Sequence, residues 1–213
     1  MNVCYLGLLL FTLLPACANA PLSGPSYFNC MHWGIGVVSP SYMEAWVEEL
    51  KVKDDRSLWV VMPVGVVGEL GTTVGWDSGG WGAGMARIGS AGAPMEVYIR
   101  WQSLAEPQTY TWHFVVPESV RQALTRREPV KPWYGPPQMS CRTDIVIGVA
   151  PGGRTIVWNE GNGFPHLEVM RGQAEVERLG PDQGKYGGRY VRISDEAKQY
   201  IEEHGIPYGS WDR

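Results

Sequence analysis

The chain is poor in what a nucleic-acid, metal or cofactor protein needs. Lys and Arg number 18 against 22 Asp and Glu, a formal charge of −4. No basic stripe runs along it, and the small cluster Arg126-Arg127 with Lys131 reads as a solvated helix end. Nucleic acid is therefore excluded as a partner. Histidine and cysteine occur four times each, without HExxH or CxxC spacing, and His32, His113, His166 and His204 stand far apart. No metal site is expected. No GxSxG elbow is present, and no Gly-Lys-Ser/Thr closes a phosphate loop, so no cofactor is expected either. Carboxylates are too scattered to nominate a general acid/base pair. There is no internal repeat and no low-complexity tract.

A membrane-spanning run is absent too, but a shorter one is present. Leu6 to Leu14 (LGLLLFTLL) is a nine-residue apolar core, too short to span and suited to a signal peptide. Leu14-Pro15-Ala16-Cys17 follows, which resembles a bacterial lipobox, so Cys17 is the expected site of lipid attachment. The competing reading is cleavage after Ala18-Asn19-Ala20, with Pro21 then following the cut, where ordinary signal peptidase accepts proline poorly. Met1 to Tyr5 carries no Lys or Arg, a departure from both patterns. Ala18 is not the aspartate that retains lipoproteins at the inner membrane, which favours a periplasmic protein anchored to the outer membrane. The expected organisation is a signal peptide over 1–16, a tether over 17–31 and one β-rich domain over 32–213. With Cys4 removed and Cys17 acylated, Cys30 and Cys141 remain as an even pair in an oxidising compartment. Their disulfide would close a loop worth ~4–5 kcal/mol in the chain-entropy model.

Ten Trp and ten Tyr favour strands, and 27 Gly with 16 Pro supply many turns. Strand patterns cover His32 to Val38, Ala45 to Val52, Leu58 to Val67, Met95 to Trp101 and Thr109 to Val116. They recur over Asp144 to Ala150, Arg154 to Asn159 and within His166 to Leu179. In MEVYIRW, Met95, Val97, Ile99 and Trp101 share one face. Pro117 to Arg127 changes period, with Val120, Ala123 and Leu124 as a helical stripe. A second helix spans Ser194 to His204, with Ser194 as N-cap and Gly205 then Pro207 ending it. Residues 129 to 139, with four prolines, read as a long loop. The expected fold is mainly β, an antiparallel β-sandwich or curved sheet with two short helices.

The stretch GWDSGGWGAGM contains Asp77-Ser78-Gly79-Gly80, the letters around a trypsin-like nucleophile. Trp76 stands where that family has glycine and Trp81 where it has proline. Ser78 comes early in the chain, and Met31-His32-Trp33 does not match the family's histidine motif. No catalytic residue is assigned, and the stretch reads as a loop or contact surface. Trp33, Trp46, Trp59, Trp101 and Trp112 lie in strand-like runs and are read as core. Trp76, Trp81, Trp133 and Trp211 lie in loops or the tail and, with Asp77, are the candidate partner-binding residues. Burial under a loop is the competing reading for these tryptophans.

The order of motifs carries a resemblance. Trp33-Gly34-Ile35-Gly36, Pro40-Ser41-Tyr42, Gly75-Trp76-Asp77-Ser78-Gly79-Gly80, Pro94-Met95-Glu96-Val97, Trp101-Gln102-Ser103-Leu104-Ala105-Glu106 and Gly148-Val149-Ala150-Pro151-Gly152-Gly153 follow one another. That series resembles a family of bacterial lipoproteins catalogued as a domain of unknown function, matched over roughly Trp33 to Trp158. Some members of that family look like periplasmic immunity proteins against type VI secretion phospholipase effectors. The resemblance implies a non-catalytic toxin inhibitor whose partner is a secreted lipase. Asp77 is then a candidate to occupy a phosphate-accepting site. The alternative is a carbohydrate- or peptidoglycan-binding envelope lipoprotein.

Overall fold

The computed structural model describes residues 30, 32–68, 76, 85–89, 91–132 and 134–212. Strands β1 (Trp33–Val38), β2 (Ala45–Asp54), β3 (Trp59–Met62), β4 (Val66–Val67) and β5 (Ala86–Ile88) form the first half. β6 (Pro94–Ser103) and β7 (Gln108–Val115) lead to helix α1 (Glu118–Ala123). The hairpin β8 (Glu128–Val130) and β9 (Gln138–Ser140) comes next, followed by β10 (Asp144–Ala150), β11 (Arg154–Glu160), β12 (Leu167–Gln173), β13 (Glu175–Val176) and helix α2 (Asp195–His204). Five strands make one sheet in the order β12-β11-β10-β1-β5. The other runs β13-β7-β6-β2-β3, with β4 also on β2.

Period-two alternation decides which side chains face inward. Ile35 and Val37 of β1 and Ile145, Ile147 and Val149 of β10 meet Leu50, Val52, Val97, Ile99, Trp101, Trp112 and Phe114 of the second sheet in one buried cluster. The two sheets therefore pack face to face as a β-sandwich. Val120 and Leu124 of the α1 segment belong to the same core. The six-stranded sheet is antiparallel. In the other sheet β1 runs parallel to β10, with Gly34 opposite Asp144 and Val38 opposite Gly148. That pairing departs from the all-antiparallel expectation.

Three further expectations are corrected. The single strand over 58–67 is two, because Pro63 interrupts it and Gly65 takes φ 148°. The long loop over 129–139 is a hairpin, with Pro129 opposite Met139; in a two-stranded ladder a strand has one unpaired side, where a proline costs no hydrogen bond. Trp59 is not core. It sits opposite Lys53 on the outward face of the edge strand β3 and is 44% exposed. Trp33, Trp101 and Trp112 are buried as expected, and Trp46 is half-buried.

The sandwich has two distinct ends. Cys30 and Cys141 are bonded, Cα to Cα 5.6 Å, beside the starts of β1 and β10. The α1 segment, the β8–β9 hairpin and the turn after β11 gather at this end. The opposite end carries the β6–β7 turn, the Pro151–Gly153 turn and α2. Ser194 caps α2 by accepting from the Ala197 amide, and Gly205 ends it at φ 74°. The segment between β13 and α2 crosses the outer face of the six-stranded sheet. Its Asp182, Val191 and Ser194 amides donate to Glu48, Gln102 and Glu44.

Candidate functional site

Gly36 and Gly148 lie on the outward face of the five-stranded sheet, and the lack of a side chain there makes room for others. A Cβ on Gly148 would stand 2.6 Å from the Trp76 ring, and one on Gly36 would stand 2.1 Å from Met85 Sδ. Trp76 meets Trp158 edge to face at 5.7 Å and packs with Val146 and Ile156. Its indole N–H donates to the Trp211 carbonyl at 2.9 Å, and Arg171 donates to the same oxygen at 2.9 Å. Trp76 and Met85, at the two ends of the glycine-rich stretch, are thus both seated on the sheet. Trp211 is 2% exposed, in a cluster with Met43 and Ala150. Its ring anchors the C-terminal segment and is not presented to solvent. Cys17, Asp77, Ser78, Trp81 and Trp133 lie outside the described residues.

At the disulfide end of the same face, a charged row crosses four strands. Arg87 on β5, Gly34 on β1, Asp144 on β10 and Glu160 on β11 are register neighbours. Because Gly34 has no side chain, Arg87 reaches past it to Asp144 at 2.5 Å. His166 pairs with Glu160 at 2.5 Å. Burial pushes the Asp144 carboxyl above its ordinary range, against the pull of Arg87. Burial raises Glu160 too, against its bond with His166, and the nearby Asp144 charge adds to the rise.

The outer face of the six-stranded sheet is different in kind. One row runs Val115, Glu96, Lys53, Trp59 and the next His113, Tyr98, Lys51, Val61. Val61 is 65% and Val115 64% exposed. The charges between them are paired. Lys53 and His113 each lie 3.0 Å from Glu96, Lys51 lies 3.2 Å from Glu49, and Arg100 lies 3.3 Å from Glu49. Lys51 also stands over the Tyr98 ring at 4.5 Å and the Trp59 ring at 5.5 Å. Arg100 reaches inward to the buried Glu48 at 2.5 Å, which also accepts from Gln102 at 2.9 Å. The result is a surface of exposed apolar side chains set among paired charges.

Glu106 organises the opposite end. It accepts from the Tyr110 hydroxyl, the Gly152 amide and the Tyr208 hydroxyl, each at 2.7 Å. Burial and that bond push the Tyr208 hydroxyl up to about 12, and Tyr110 moves the same way for the same causes. Among the described residues no group of three or more His, Cys, Asp or Glu is placed to hold a metal ion. Sequence reasoning missed the platform around Trp59, because a tryptophan in a strand pattern reads as core. The signal available was its neighbours: in KVKDDRSLW the alternating lysines already mark the outward face of β2.

The family model described as "Protein of unknown function (DUF2931)" matches residues 19–209. The chain belongs to this family. The match runs well past Trp158, so the DUF2931 unit takes in β12, β13 and α2, which the motif resemblance did not cover. No curated protein and no solved structure was found to match.

Proposed function

We propose that this protein is a non-catalytic immunity protein of the bacterial envelope that binds and neutralises a secreted lipase or phospholipase. The observation that carries the binding role is the part of the outer face of the six-stranded sheet that the crossing segment leaves open. Trp59, Val61 and Val115 stand exposed there, among charges that are already paired. Such a surface offers apolar area to a folded partner without the cost of stripping water from lone charges. The Cys30–Cys141 bond supports export, since disulfides persist in oxidising compartments. The toxin class comes from the motif resemblance, and the lipid anchor at Cys17 from the lipobox-like Leu14-Pro15-Ala16-Cys17. Asp77 and Trp81 stay candidate contacts, whereas Trp76 and Trp211 are committed to the fold.

A glycan-binding role is less favoured, because sugar stacking needs free ring faces and Lys51 stands over both Trp59 and Tyr98. The test is calorimetric titration against any lipase that a neighbouring gene is found to encode, with Trp59→Ala and Val61→Ser as variants. Tight binding by the wild type and weakening by both substitutions is expected. Binding to peptidoglycan fragments in place of the enzyme would overturn the reading.

A further inference from the structure

Positive charge is in local excess in two segments: 178–192, where Arg178, Lys185, Arg189 and Arg192 stand against Asp182, and 121–142, which has the larger net charge. Segment 121–142 holds Arg121, Arg126, Arg127, Lys131 and Arg142 against Glu128 alone, a net of +4 in a chain whose total is −4, so the remainder is −8. The sequence reads Arg126-Arg127 and Lys131 as a helix end. In the fold they lie beyond it: α1 stops at Ala123, and the three residues flank and enter the β8–β9 hairpin. Three of the cations are engaged. Arg121 pairs with Glu118, Arg126 pairs with Glu128 at 2.6 Å, and Arg142 donates to the carbonyls of Asn159 and Pro165. Arg127 and Lys131 are exposed, and among the described residues no ion pair holds either.

Apolar groups are exposed at the same hairpin. Tyr134 is 90% and Met139 51% exposed. The hairpin lies beside the turn after β11, where a Cβ on Gly163 would stand 2.5 Å from the Lys131 carbonyl and one on Gly161 2.9 Å from the Cys141 carbonyl. The disulfide ties Cys30 to this place too. Cys30 is therefore held at the hairpin end of the sandwich. From Cys17 to Cys30 the chain can span at most roughly 45 Å.

We propose that the disulfide end is a membrane face, with the β8–β9 hairpin docking on an anionic phospholipid surface. Tyr134 and Met139 enter the headgroup layer, and Arg127 and Lys131 meet lipid phosphates. Three observations converge on a lipid occupant: local positive charge on an acidic protein, an aromatic and a thioether standing in water beside it, and the point where the N-terminal chain enters the fold. The face rests on the envelope location in the proposed function but not on the toxin. It points the outer face of the six-stranded sheet sideways, clear of the bilayer.

The experiment uses the full chain with Cys17→Ser, so that no acyl chain contributes. Sedimentation compares vesicles of phosphatidylcholine alone with vesicles containing about one-third phosphatidylglycerol. The quantity read is the excess on anionic vesicles, which cancels any contribution of the apolar N-terminal run. Excess binding is expected, weakened by salt and reduced roughly fivefold for each of Arg127→Gln and Lys131→Gln. Tyr134→Ser with Met139→Ser should weaken it further, with an unchanged melting temperature. Equal binding to both vesicles, or an excess that survives loss of both cations, overturns the proposal. So does a double variant that loses the lipase and keeps the vesicles, since the hairpin is then a protein interface. Failure of the lipid anchor shows separately, as Cys17→Ser leaving envelope association of the protein in cells unchanged.

Discussion

Trp76 donates its indole N–H to the carbonyl of Trp211 across 2.9 Å, although 135 residues separate them in the chain. The bond joins the glycine-rich stretch to the C-terminal segment, over a face of the sheet that two glycines leave open. It makes Trp76 a structural residue. Trp76→Ala is expected to cost about 2–3 kcal/mol in urea unfolding, from lost ring packing and a carbonyl left with one donor fewer. Trp59→Ala should cost less than about 1 kcal/mol, because that ring is half in water. If the order is reversed, the two tryptophans have been assigned the wrong roles.

The glycines under Trp76 and Met85 differ in what a methyl would displace. At Gly148 the added carbon meets rings of Trp76 and Trp158 and a methyl of Ile156; at Gly36 it meets the flexible Met85 side chain. Gly148→Ala should therefore destabilise by roughly 1–3 kcal/mol, the usual cost of overpacking. Gly36→Ala should cost less, since methionine can repack. Paired thermal melts will rank them.

Glu48 is buried under the segment that precedes α2, and holds Arg100, Gln102 and the Asp182 amide. Glu48→Ala leaves a largely buried guanidinium without its inner partner and frees the crossing segment. A loss of about 3–5 kcal/mol is expected. Amide exchange should quicken at Asp182. Protection retained there would mean that the segment is held by other contacts.

Acid should act on two sites in opposite senses. Burial works to raise the Asp54 carboxyl, but amide bonds from Leu58, Gly92 and Arg56 and the Arg56 guanidinium win, holding it at about 2 against an ordinary 3.8. A depressed carboxyl contributes stability above its unfolded pKa, and the contribution disappears as pH falls from about 4 toward 2. Glu160 is raised, so it favours the fold when protonated, and that contribution is lost as pH climbs through its folded value. Asp54→Asn should flatten the acid limb of the stability curve. Glu160→Gln should gain on the wild type between mildly acid and neutral pH. Parallel curves for wild type and both variants would contradict the two shifts.

Much of the fold was legible because its strands alternate. The inward set Val97, Ile99 and Trp101 and the helix stripe Val120, Ala123 and Leu124 follow directly from period. What was not legible depends on partners far along the chain. β5 is three residues long and exists because β1 pairs with it. The parallel match of β1 with β10 leaves no mark in either segment, since both are simply apolar and β-branched. For the candidate site, position in a loop said little about exposure. Trp211 lies in the tail yet is buried, because Met43 and Ala150 form a pocket that no local pattern announces.

The parallel pair also orders events in time. Gly34 meets Asp144 four residues beyond Cys30 and three beyond Cys141. Oxidising the thiols and laying β1 into its sheet are thus a single loop closure, seen once in sulfur and once in backbone. β1 can meet β5 early, but its parallel partner β10 exists only after about two thirds of the chain has been made. One step thus draws together two points of the chain 111 residues apart.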